Sequence, residues 1–170
     1  MKKLWIGVLG VILILGLISF FTLDSSEGSN STFKVGNSTF KAPGIWEEEA
    51  NQESVSGDSN VISLSYDGSN ELYLYVKEFK TQEDFNSDYN LMTQVEGCKL
   101  NNMTIAGINV KNLEYTFESY PRDVSDHYFQ KNNKFYNVAI VDYRAYSSGD
   151  DKPDQKTLDD TLNTVISTIN

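Results

Sequence analysis

At 170 residues and a formal charge of −10, the chain has room for one domain with an appendage but not for two separate cores. Lys2 and Lys3 precede the first apolar stretch and every acid follows it, so the part after residue 23 carries a formal −12, a field that repels phosphate backbones and argues against nucleic-acid binding. Cys98 is the only cysteine, which rules out an internal disulfide and leaves an aromatic-rich core to stabilise the fold alone.

Leu4 to Leu23 are twenty consecutive uncharged residues; at about 1.5 Å per helical residue they match a bilayer's hydrocarbon thickness of roughly 30 Å. Lys2 and Lys3 on one flank, against Asp24 and Glu27 on the other, place residues 1–3 in the cytoplasm and everything after the run outside. Trp5, Phe20 and Phe21 sit where interfacial aromatics are expected. The competing reading is a cleaved signal peptide, whose apolar run is shorter and ends at a small-x-small site. Only Ser26-Glu27-Gly28 resembles such a site, and no cysteine follows for lipoprotein processing. The expectation is therefore a single-pass signal anchor over 4–23, with the lipid bilayer as its partner, a polar tether over 24–31 and an extracytoplasmic domain over 32–170.

Within that domain, Phe33-Lys34-Val35 and Ser38-Thr39-Phe40 flank Gly36-Asn37 as a small hairpin, and Ala42-Pro43-Gly44-Ile45-Trp46 forms a turn delivering Trp46 to the core. Residues 47–60 read as a loop. Ile62, Leu64 and Tyr66, then Leu72, Leu74 and Val76, alternate with period two on either side of Asp67-Gly68-Ser69-Asn70, predicting an antiparallel pair. Thr81 to Asp84 has capping-box spacing, and Phe85, Tyr89, Met92 and Val95 follow at helical intervals up to Gly97, predicting a helix over 82–96. Strands are expected over 100–105 and 108–118, with a bulge near Lys111-Asn112 where the inward phase shifts from Val110 to Leu113. A hairpin over 127–131 and 134–146 follows, its Val138-Ala139-Ile140-Val141 apolar on both faces as in a covered central strand. Leu158, Leu162, Val165, Ile166 and Ile169 then trace an amphipathic helix entered through Pro153, with Asp151 or Asp154 as cap.

Chemistry is harder to find. His127 is the only histidine; Asp126 beside it could orient it, but no nucleophile elbow accompanies it, and it reads as a partly exposed strand histidine. With one His and one Cys no zinc site can be assembled. Neither Asp67–Glu71 nor Asp150, Asp151 and Asp154 has EF-hand spacing. Glu47-Glu48-Glu49 reads as a solvated run, and Cys98 as a small buried hydrophobe. Asn30, Asn37 and Asn102 open Asn-x-Ser/Thr sequons and are candidate glycosylation sites. Tyr120 and Tyr146, in loops, are candidate partner contacts, whereas Tyr73 and Tyr75 are expected in the core. No catalytic, metal-binding or cofactor-binding residue is assigned, and no cofactor is expected.

The order of elements, the segment Phe40-Lys41-Ala42-Pro43-Gly44-Ile45-Trp46, the strand Lys134-Phe135-Tyr136-Asn137-Val138-Ala139-Ile140 and the Ile/Val-rich closing helix resemble the PsbP/Mog1-like family, above all small membrane-anchored or secreted prokaryotic members, archaeal ones included. The resemblance spans roughly residues 32–170. It implies an α+β fold, a mostly antiparallel sheet flanked by helices as an α/β/α sandwich, and an accessory or binding role toward a protein partner. The expected function is thus a non-enzymatic, membrane-anchored extracytoplasmic binding or accessory module. The alternatives are a structural cell-envelope component, or an enzyme or ligand-binding protein with an unrecognised pocket, which a polar cavity near His127 would favour.

Overall fold

The structure is a computed structural model; it describes residues 29–49, 60–68, 71–117, 122–143 and 153–170. The apolar run 4–23, residues 1–3 ahead of it, and Tyr120 and Tyr146 lie outside those residues. No helix among the described residues is long and apolar enough to cross a membrane.

Two faces of one antiparallel sheet account for most of the sequence pattern. The strands are β3 (Trp46–Glu48), β4 (Val61–Tyr66), β5 (Leu72–Phe79), β6 (Lys99–Ile105), β7 (Ile108–Phe117), β8 (Arg122–Lys131) and β9 (Lys134–Asp142). They lie side by side in the order β3-β4-β5-β9-β8-β7-β6. A separate hairpin of β1 (Ser31–Val35) and β2 (Ser38–Ala42) packs beside them. Helix α1 (Gln82–Met92) follows β5, and α2 (Gln155–Thr168) follows β9.

Because side chains alternate across a strand, the register Leu74↔Ile140 and Tyr73↔Val141 sends Leu72, Leu74, Val76, Val138 and Ile140 to one face and Tyr73, Tyr75, Phe79 and Val141 to the other. The first face is closed by the hairpin, by Leu162, Val165 and Ile166 of α2, and by Ile169 just past the end of that helix. The second is aromatic, with Phe79, Tyr115 and Tyr128 beneath Phe85 of α1. The result is the expected mostly antiparallel α+β sandwich, and β9, apolar on both sides, is indeed central.

Double coverage also explains two departures from expectation. The register of β7 with both neighbours is continuous, so the bulge near Lys111-Asn112 is absent. The shift of phase reflects Val110 and Asn112 buried on one face and Leu113 and Tyr115 on the other. His127 is likewise buried, at 2% exposure, not partly exposed, because β8 runs from Arg122 and places it mid-sheet. Tyr73 and Tyr75 are half-buried at the margin of the aromatic face.

Other boundaries shift modestly. Trp46–Glu48, expected as the end of a turn and the start of a loop, pairs with β4 as a short strand. Thr81 caps α1 through Asp84 N–H as the capping spacing predicts, but the helix ends at Met92 rather than 96. Successive turn hydrogen bonds from Gln94, Val95 and Cys98 carry the chain on past Gly97. Asp154, one of the two expected caps, accepts from Thr157 N–H at the start of α2. Asn132 and Asn133 both take positive φ, the backbone of the tight two-residue turn joining β8 to β9.

Candidate functional site

The hairpin, α2 and the long sheet do not close completely over the β7–β8 half of the first face. A cleft of about 1370 Å³ opens there between α2 and the strands, and continues round the strand ends to Tyr115 and Phe117. Its helical wall presents Gln155, Asp159 and Asn163, one turn apart along α2, beside the apolar Leu158 and Leu162. β6 contributes Lys99 and Met103 to its rim.

Asn112 of β7 and Ser125 and His127 of β8 share the face opposite α2 by register and border the cleft. His127 Nδ1 lies 3.1 Å from Val138 O; a carbonyl only accepts, so Nδ1 carries the proton and Nε2 is the acceptor. Asn112 Nδ2 meets that acceptor at 3.3 Å, Ser125 Oγ at 3.0 Å and Asp126 O at 3.3 Å. Burial pushes the imidazole down to about 4, so at neutral pH it is uncharged and engaged on both nitrogens. Such a ring fixes the floor rather than offering a free base.

The amide of Asn112 is directed by those bonds toward β8, and its carbonyl, on the opposite side of the amide, has no hydrogen-bond partner. The residue is 1% exposed. An acceptor left in this state costs about 1–3 kcal/mol relative to a satisfied one. Five carboxylates, those of Glu96, Glu114, Asp123, Asp142 and Asp159, border the same cleft, as does Lys99. They do not converge, for among the described residues no three His, Cys, Asp or Glu side chains gather as metal ligands do.

Asp126, expected beside His127, points to the other face. It accepts from Tyr115 Oη at 2.5 Å and Asn137 Nδ2 at 3.0 Å. Burial holds its carboxyl above the ordinary carboxylate range, and those two bonds pull against the rise. Nearby, Asp88 of α1 links Tyr128 (2.9 Å) to Lys77 (3.0 Å), tying α1 to the sheet. Burial and the Asp126 carboxylate push both Tyr115 and Tyr128 up, so neither is an ionisable nucleophile.

Of the residues singled out from sequence, Asn30, Asn37 and Asn102 are all exposed, but they are dispersed over the tether, the β1–β2 turn and the edge strand β6. Cys98 is half-buried against the aromatic face, where burial pushes its thiol up. Glu47 and Glu48 are exposed on β3. The cleft-floor residues Asn112 and Ser125 were not among the candidates. An Asn in the middle of a buried strand run was the one available signal.

No family model and no curated protein matches the chain. Among solved structures it is similar to a Bacteroides thetaiotaomicron VPI-5482 protein, with a TM-score of 0.50 and 11% identity over 85% of this chain and 48% of that one. The chain therefore spans about half of that protein, and at such identity the likeness concerns the fold alone. It is also similar to cyanobacterial PsbP (CyanoP) from Synechocystis sp. PCC 6803, with a TM-score of 0.49 and 15% identity over 86% of this chain and 95% of that one.

Proposed function

We propose that this chain is a membrane-tethered, extracytoplasmic binding or accessory module related to PsbP, and that the cleft beside α2 is where it takes its protein partner. The observation that carries the reading is the unsatisfied, buried carbonyl of Asn112 at the edge of an open cleft of mixed polar and apolar lining. Stable folds pair nearly all buried polar atoms, and binding sites are a recurrent exception. The uncharged run 4–23 beside Lys2 and Lys3 supports the tether and the outward orientation. The same cleft, reaching Ser125 and His127, favours ligand binding over a purely structural envelope role.

Both parts are testable on the full-length protein in its native membranes. Alkaline carbonate should leave it in the membrane pellet, and protease added outside sealed cells should degrade residues 29–170; release into the wash or full protection defeats the tether. A photo-crosslinking residue at Gln155 or Asn163, both exposed in the cleft, should trap a reproducible protein adduct. The same probe at Glu83, exposed on α1, should not. Equal labelling at all three positions would remove the cleft from the proposal.

A further inference from the structure

The chemistry bordering the cleft narrows what can occupy it. Asn112 Oδ1 requires a hydrogen-bond donor, and the cleft that Asn112 borders is lined, among the described residues, by five carboxylates with Lys99 as the one cation. A ligand that is anionic or rich in acceptors would meet like charge and leave the carbonyl unsatisfied. A divalent cation needs several oxygens converging on one point, whereas Glu114 of β7, Asp123 of β8 and Asp159 of α2 are distributed along the walls without such a cluster among the described residues. Spread acceptors suit spread donors. Guanidinium and ammonium groups carried at intervals on a chain meet both demands, and guanidinium, with five N–H groups in a planar fork, can serve a carbonyl and a carboxylate together.

Cleft dimensions agree with that chemistry. About 1370 Å³ exceeds what a single small ligand fills, since small-molecule pockets run from about 300 to 1,000 Å³. The polar stripe Gln155, Asp159 and Asn163 lines one wall over two helical turns.

We infer that the cleft is a receptor for an arginine- or lysine-bearing segment of a partner protein, with one cationic side chain donating to Asn112 Oδ1 and others facing Glu114, Asp123 and Asp159. This rests on the cleft being the binding surface and adds the chemistry of its occupant. Asn112 Oδ1 has less than 1 Å² of accessible surface in the free protein, so this contact requires the side chains above it to part on binding.

The test is a titration of full-length protein in detergent micelles, followed by amide NMR, with the peptide acetyl-Gly-Arg-Ser-Arg-Ser-Arg-Gly-amide and its counterpart with Glu at each Arg position. The arginine peptide should shift resonances of β7, β8 and the first turns of α2, including the Asn112 side-chain amide, and weaken about tenfold or more between 50 and 300 mM salt. Glu114→Lys and Asp159→Lys, at exposed positions that spare the core, should each lower affinity by about tenfold without altering the circular dichroism spectrum. No shifts at millimolar peptide, equal binding of the Glu peptide, unchanged affinity in both variants, or equally tight binding of free spermidine would each overturn the inference. If the peptide fails while cleft crosslinking still traps a partner, the binding module stands and only its cationic ligand falls.

Discussion

Ala106 occupies the first position of the two-residue turn between β6 and β7 with φ of +50°, followed by Gly107 at +77°. That left-handed conformation costs an alanine about 1–2 kcal/mol, whereas asparagine tolerates it. Ala106→Asn, which restores the favoured Asn-Gly turn, is expected to raise unfolding free energy by about 0.5–1 kcal/mol in urea titrations. Buried titratable groups set the acid limb, and two of them act with opposite sign. His127 is held down to about 4, so below its unfolded value near 6.5 the unfolded chain binds more protons and stability falls with pH. The loss reaches about 3 kcal/mol by pH 4, and His127→Gln should remove this limb from stability curves measured between pH 7 and 4. Asp126 works the other way. Its folded carboxyl is held above the unfolded value, so its contribution is fully present below the unfolded value and is lost as pH rises through the folded one. Asp126→Asn should therefore stabilise the protein at pH 7–8 relative to wild type and lose that advantage in acid, by the same measurement.

At the scale of elements, α2 is held by more than its apolar stripe. Thr161, fully buried, donates its hydroxyl to Thr157 O at 2.9 Å and accepts from Trp46 Nε1 at 3.1 Å, joining the helix to the short strand β3. Thr161→Val keeps the shape and strands the indole N–H, so urea denaturation should show a loss of about 1–3 kcal/mol. This bond was invisible in the sequence, because its partners lie 115 residues apart. Elements with strong local periodicity, namely β4, β5 and the α2 stripe, were legible along with their turns and caps. Beyond these, pairing across the sheet decides the outcome. β7 looks irregular by itself since each of its faces is buried over only part of its length, and β3 exists only because β4 lies beside it. The cleft was illegible for the same reason. Asn112, Ser125 and His127 become neighbours through the β7–β8 register, and a buried asparagine between two apolar phases reads as a break in pattern rather than as a floor.

For the whole molecule, a formal charge of −10 means self-repulsion that counter-ions relieve within a Debye length of about 8 Å at physiological salt. The thermal midpoint is accordingly expected to rise by roughly 2–5 °C between 10 and 300 mM sodium chloride, the shift about 1 kcal/mol produces in a domain of this size. A fall over that range would show that attractive ion pairs, such as Lys77 with Asp88, outweigh the repulsion.

After α2 the chain does not stop at the helix. Ile169 has no exposed surface, and Asn170 exchanges backbone hydrogen bonds with Thr39 at 3.1 and 3.3 Å while its side chain accepts from the Thr39 hydroxyl at 2.9 Å. Helix and hairpin are thus buttoned together through the main chain, and slow hydrogen exchange at the Thr39 and Asn170 amides becomes an inexpensive gauge of that fastening. Replacing just Ile169 and Asn170 by glycine should unfasten what the remaining chain holds shut.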